Sequence, residues 1–252
     1  MLLVMSRARI AVRAFSTTPT AIIAGAGEST GAAIAKHFAS KGLCVHGARR
    51  RPAADAPIPP ALVEPVRAVD FRDGAAVEAF VAGVEARGPV ALAVHNIGAN
   101  VRFSVEDTSA RVFRKTWELA ALSALHFAHA LGPRMAARGR GTLIFAGATA
   151  SVRGGAGFAA FAAAMHAKRA LAQSLARELG PRGVHVAHVV IDGPVDTPFV
   201  RELVGEAEAV RMAERGALIE PSAIAESYWA LHAQPRTAWT HELDLRPYCE
   251  KF

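Results

Sequence analysis

Residues 20–42, TAIIAGAGESTGAAIAKHFASKG, join a short apolar run to a glycine cluster, then to a helical pattern with Ile34, Ala35 and Phe38 on one face. Gly42 is a stop signal for that helix. The same order recurs along the chain. LCVHGA (43–48), VRAVD (66–70), VALAVHN (90–96), GTLIFAG (141–147), GVHVAHVVIDG (183–193) and AWTHELDL (238–245) are the further strand candidates. Helical patterns follow at 74–88, where Asp73 is a capping residue, at about 109–137, at 157–179, and near 199–215 and 221–233. RRRPAADAPIPP (49–60) is a loop broken by four prolines. Strands alternating with helices of this length predict a doubly wound α/β parallel sheet of about seven strands, covered on both faces. Its ligand crevice is expected beyond the carboxyl ends of the strands. Residues 20–252 read as one domain, with no internal repeat.

The chain is 52% hydrophobic and 20% charged, the balance of a globular core rather than a disordered segment. Cys44 and Cys249 cannot make a disulfide framework, and their spacing suggests no metal site. The net charge is +7, of which Arg7, Arg9 and Arg13 supply three. The other basic residues are scattered and not interleaved with aromatics, which argues against a nucleic-acid partner. No apolar run approaches the ~18 residues of a membrane span.

Residues 1–19 carry Arg, Ser and Thr and no acid; the first acidic residue is Glu28. Leu3, Ile10 and Phe15 form an apolar side beside the arginines on a helix. This is the composition of an organellar transit peptide. RAFS (13–16) resembles a mitochondrial processing site between Phe15 and Ser16. The mitochondrial matrix is the favoured location over plastid or cytoplasm, and a frayed basic tail is the alternative reading.

Gly25, Gly27 and Gly31 lie between the first strand and its helix. Glycine there allows a sharp turn and close approach of a pyrophosphate to the free N–H groups of the helix. With Ser29 and Thr30 these residues are the candidate phosphate loop, AGAGESTG. HNIG (95–98) places Asn96 and Gly98 after the fourth strand, and DGPVDTP (192–198) places Gly193 and Thr197 after the sixth.

These segments, in this order, resemble the short-chain dehydrogenase/reductase family, and the likeness covers nearly all of the chain after residue 19. The resemblance implies a Rossmann-like fold and a nicotinamide dinucleotide cofactor. AGAGESTG stands where the family has TGxxxGxG, with Ser29 for the middle glycine; HNIG stands for NNAG; Asp70 stands where the family sets an Asp against the adenine; Asp192 replaces a Pro in the PGxxxT loop. Arg49 and Arg50 end the second strand where an acid would accept from a ribose hydroxyl, which favours NADP(H) over NAD(H). Glu28 in the phosphate loop argues the other way.

The family's reaction implies a Tyr to move the proton, a Lys four residues on, a Ser thirteen residues before the Tyr, and an Asn on the preceding helix. Counting back from SLARELGPRG (174–183) puts Met165 at the Lys position, Phe161 at the Tyr, Ala148 at the Ser, and Ala120 near the Asn. The polar groups of all four are absent in this register. A second register uses Ser151 and Lys168 at the family's Ser-to-Lys spacing and puts Ala164 at the Tyr position. HNIGANVRF, GATAS and AWTHELDLRP resemble a subgroup with Phe in place of the Tyr, which keeps the Lys.

Substitute groups are Thr149, Ser151, His95, His166 and Lys168; against each stands an ordinary reading as a cap, a core histidine or a solvated helix face. His126 and His129 can share one helix side but lack a third ligand, so no metal is expected. His185 and His188 point to opposite faces of a strand. Two functions are implied. One is a dinucleotide-binding oxidoreductase, NADP(H) favoured, with a degenerate site and a small-molecule substrate. The other is a non-catalytic nucleotide-sensing or structural subunit of an organellar assembly. The Ala-rich helical stretch FAAFAAAM (158–165) allows close packing on its own sheet, and with the resemblance it implies self-association as a homo-oligomer.

Overall fold

The structure is a computed structural model that describes residues 18–52, 61, 62, 64 and 66–250. The transit-peptide reading falls almost wholly outside them. Seven parallel strands form one sheet in the order β3-β2-β1-β4-β5-β6-β7. They are β1 (Thr20–Ala24), β2 (Cys44–Arg49), β3 (Arg67–Ala68), β4 (Val90–His95), β5 (Gly141–Ala146), β6 (Val184–Ile191) and β7 (Glu242–Leu245). The strand order reverses between β1 and β4, so their carboxyl ends diverge into the crevice expected of a doubly wound sheet.

Alternation along each strand builds a core on each face. Ile22, Ala93, Leu143, Phe145 and Val186 pack under helices α2 (Gly74–Glu85), α4 (Ser123–Ala137) and α5 (Ala159–Leu179), against Val81, Phe127 and Leu131. Ile23, Leu92, Val94, Ile144 and Val189 face α1 (Thr30–Ser40) and α8 (Pro221–His232), against Ile34, Phe38, Ile224 and Leu231. Fully burying side chains of this size stabilises by about 1.5–3 kcal/mol each. Asp73 caps α2 through its carboxylate, which accepts from the N–H groups of Ala75 and Ala76.

Four elements differ from the sequence expectation. β3 is only two residues long because it is an exposed edge paired to β2 alone. The helix expected over 109–137 is α3 (Ala110–Trp117) and α4, joined by a π-helical turn at Glu118–Leu122 in which the Ser123 N–H reaches the Glu118 carbonyl. The helix expected over 199–215 breaks into α6 (Pro198–Val204) and α7 (Glu206–Glu214) at Gly205, whose φ of 86° with ψ of 141° is a non-helical backbone that glycine adopts without strain. The last strand begins only at Glu242, because the Thr240 N–H is taken by the Gln234 side chain. No helix among the described residues is long and apolar enough to cross a membrane.

Candidate active site

The β1–α1 turn is held by close backbone approach. A Cβ on Gly25, at φ 86°, would lie 2.7 Å from the Asn96 carbonyl oxygen, and one on Gly31 would lie 2.7 Å from the Ala26 Cα. Gly27 differs: nothing lies within 4 Å of its Cβ position. Gly25 and Gly31 are therefore required by the fold, whereas Gly27 leaves open space in the phosphate loop. Ser29 stands at the N-cap of α1 without a side-chain cap hydrogen bond, so its hydroxyl is not used by the helix. Asn96 donates its side-chain amide to the Gly25 carbonyl at 3.3 Å, tying β4 to the turn.

One cavity of about 290 Å³ is lined by Gly25, Arg49, Arg50, Asp70, Asn96 and Gly98, among others. Asp70 does not stand free in it. It accepts from the Arg72 side chain at 2.5 and 2.9 Å and from the Arg72 N–H, and the Arg72 hydrogen bond holds its carboxyl below the usual range. Arg49 lies 3.6 Å from exposed Glu28, so the two residues that argue for opposite cofactors are partners. Asn96 and Gly98 also line a second cavity, of about 640 Å³, together with Thr30, Gly193 and Thr197. Thr197 caps α6 through its hydroxyl, which accepts from the Val200 N–H. The two cavities thus share Asn96 and Gly98 on their linings, and a glycine with an empty Cβ position also stands at Gly98.

The structure brings Ala120, Ala148, Phe161 and Met165 together. Buried Ala120, Phe161 and Met165 form one apolar cluster with Ala99, Ala150, Ala162 and Ala164, and Ala148 packs against it. Ala120 sits in the π-helical turn, a distortion that often marks functional sites. Phe161, Phe158, Ala148 and Thr149 line the second cavity, and Met165 lies beneath, 2% exposed. The tyrosines are elsewhere: Tyr228 is buried on α8 and Tyr248 is exposed, and neither lines either cavity.

The substitute groups separate on inspection. Ser151 is buried and does not line the cavity; its Oγ accepts from the Ala148 N–H at 3.1 Å within a local turn. That corrects its reading as a substrate-facing hydroxyl. Thr149 lines the cavity but donates to the Asp192 carboxylate at 2.6 Å. His166 is exposed and bonds the Ala162 carbonyl of its own helix.

Lys168 is not on a solvated helix face, as a surface reading would have it. It is fully buried, and its ammonium position lies at the strand ends rather than two turns below them. A helical side chain leans toward the helix N-terminus. Its Nζ thereby donates to the carbonyls of Ile97 (2.7 Å) and Ala146 (3.0 Å). Burial pushes it down to about 7. Two acceptors match the two N–H bonds of a neutral amine.

His95 is equally buried. Ser123 donates its hydroxyl to the Leu119 carbonyl, so it accepts from the His95 Nε2–H at 2.9 Å. His95 Nδ1 is then an acceptor with no hydrogen-bond partner among the described residues. Burial, with nearby Lys168, holds His95 well below its ordinary range, hence neutral. His126 bonds the Phe71 carbonyl, and no three His, Cys, Asp or Glu side chains converge on a metal-binding arrangement among the described residues. His185 stacks on Trp239 while His188 bonds Glu242.

Sequence reasoning missed Arg153, the one ionisable side chain among the described residues that line the second cavity. Its signal is a lone charge in the small-residue loop SVRGGAG (151–157) between β5 and α5. It also missed Arg72 beside Asp70 and Ser123 below His95, for which nothing in the sequence pattern speaks.

Comparison with known proteins bears on this geometry. The protein-family model described as enoyl-(acyl carrier protein) reductase matches residues 25–240. A crystal structure of a short-chain dehydrogenase from Rhodopseudomonas palustris is similar at 39% identity and a TM-score of 0.75, covering 91% of this chain and 99% of that one. The 1-deoxy-11-beta-hydroxypentalenate dehydrogenase of Streptomyces exfoliatus is 32% identical over 196 residues, 74% of this chain and 70% of its own. A metagenomic short-chain oxidoreductase solved in complex with NADP shares the fold at 24% identity and a TM-score of 0.73, covering 92% of this chain and 98% of that one. With the matched family model spanning most of the described domain, this chain is a member of the short-chain dehydrogenase/reductase family.

Proposed function

We propose that the protein is an NADP(H)-dependent oxidoreductase with a degenerate catalytic site, one that works without a tyrosine proton donor. The observation that carries this reading is the lining of the two adjoining cavities: Arg49 and Arg50 at one end, and the Phe158–Phe161 wall at the other, with no tyrosine or lysine on either among the described residues. Two guanidinium groups suit a 2′-phosphate, and the Glu28 partner of Arg49 leaves Arg50 uncommitted to it. The NADP found in a relative of the same fold is in keeping with that choice.

When bound, the dinucleotide supplies hydride-transfer chemistry. Phe161 cannot ionise, and the Thr149 proton is engaged by Asp192. Lys168 is spent on two backbone carbonyls beneath the cavity floor and holds the β4 and β5 ends in place. The reaction therefore uses an activated acceptor whose proton comes from water. Import into mitochondria belongs to the same proposal. So does self-association through the face bearing exposed Phe113, Trp117 and Leu125.

Fluorescence titration with NADPH and NADH, followed by turnover on carbonyls and quinones, tests this. Tighter binding of NADPH with turnover of quinones over simple ketones is expected. Absence of binding by either dinucleotide overturns it. A second reading, a dinucleotide sensor without turnover, is favoured by the same lack of an acid–base side chain in the cavity other than Arg153. Binding of NADPH with no turnover on any acceptor selects it.

A further inference from the structure

Among the described residues the 640 Å³ cavity has one charged lining residue, in a wall of glycines, alanines and larger apolar side chains that also carries the neutral polar groups of Thr30, Asn96, Asn100, Thr149 and Thr197. That residue, Arg153, projects from the β5–α5 loop, with Gly154, Gly155 and Phe158 of the same loop also on the lining. Among the described residues its guanidinium has one polar partner, Asp192 Oδ1 at 3.5 Å, the outer limit of a hydrogen bond. Asp192 is buried, and both of its oxygens have nearer partners than Arg153. Oδ1 accepts from Thr149 at 2.6 Å, and Oδ2 lies 3.3 Å from Arg246, which Asp244 shares. Asp192 therefore steadies Arg153 without consuming it, and most of the five N–H donors of Arg153 remain for a ligand.

A cation beside a wall that is apolar at Phe158, Phe161, Ile191, Val195 and Val200 selects a ligand with an apolar body and a negative end. The planar fork of a guanidinium matches a carboxylate in two parallel hydrogen bonds. A single guanidinium balances one negative charge, which a carboxylate carries and a phosphate monoester exceeds. We propose that this cavity takes a small apolar molecule bearing a carboxylate, and that Arg153 binds that carboxylate and sets the substrate class. The proposal rests on the reading above that this cavity is the substrate side of an oxidoreductase.

Isothermal titration of the full chain, with and without NADPH, tests it using 3-phenylpropanoate, its neutral amide and phenyl phosphate as probes. The carboxylate is expected to bind at least about tenfold tighter than the amide, the step of one charge-assisted hydrogen bond. Arg153→Gln should erase that preference, and Arg153→Lys should keep part of it. Circular dichroism melts show whether each variant is folded; Arg153→Lys keeps the test alive should Arg153→Gln fold poorly. Equal affinity for carboxylate and amide overturns the proposal, as does no binding of the carboxylate at millimolar concentration. So does a preference for phenyl phosphate, or a preference unchanged in Arg153→Gln. If Arg153→Gln loses NADPH affinity without changing the carboxylate preference, Arg153 serves the dinucleotide and the proposal falls. A carboxylate preference that depends on Arg153 in a protein that binds no NADPH would sustain it while the oxidoreductase reading fails.

Discussion

Lys168 donates from Nζ to the carbonyl oxygen of Ile97 at 2.7 Å, across 71 positions of the chain. That bond joins the middle of α5 to the loop after β4, directly under the cofactor cavity that Ile97 lines. It also puts an amine with no ion-pair partner among the described residues in a fully buried place.

The burial of Lys168 makes stability depend on pH. Its folded value of about 7 lies below the ordinary 10.5, so between those values the unfolded chain binds the extra proton. Stability therefore rises with pH across this window and is flat for this group below it. The gain between pH 7 and 9 is expected to be roughly 2 kcal/mol. Lys168→Met should lose that slope in urea titrations run at several pH values. The same slope in both proteins would refute the assignment.

Met165 is one helical turn from Lys168 and equally enclosed. Met165→Lys alone would bury a second amine and should destabilise the fold by about 3 kcal/mol or more. Met165→Lys with Lys168→Met moves the amine instead of doubling it, and should recover most of that loss. Added Phe161→Tyr then supplies a phenol on the cavity wall, and NADPH-dependent ketone reduction is expected where the native chain shows little. A triple variant that folds, binds NADPH and reduces no ketone would exclude this account of the site.

The glycines of the β1–α1 turn divide by function. Gly31→Ala drives a Cβ to 2.7–2.9 Å from three backbone atoms and should cost about 2 kcal/mol or more. Gly27→Ala meets nothing and should leave the melting temperature nearly unchanged while weakening NADPH binding. Equal NADPH affinity in Gly27→Ala and the native chain would show that the open space is not on the phosphate path.

Replacing both Arg49 and Arg50 by Ala should weaken NADPH about tenfold or more and NADH far less, since only one of the two carries the 2′-phosphate. Parallel fluorescence titrations read the ratio directly. An unchanged ratio would remove these arginines from cofactor choice.

The alternation of apolar runs with helical patterns was enough to establish the sheet, its parallel sense and the glycine turn, because both periodicities are local properties of the chain. The resemblance to the family, with its spacings counted along this chain, also named Ala120, Ala148, Phe161 and Met165, which the fold gathers in one apolar cluster beside the second cavity. Their roles could be listed from the sequence, but the fate of the substitute groups could not. Whether Ser151 faces a ligand, whether Thr149 keeps its proton, and whether Lys168 meets solvent or carbonyls depend on partners dozens of residues away. The π-helical turn and the Asp192 cluster are decided in the same way. Strand and helix follow from neighbours in sequence; burial, hydrogen-bond partners and the charge state of a buried amine follow only from neighbours in space.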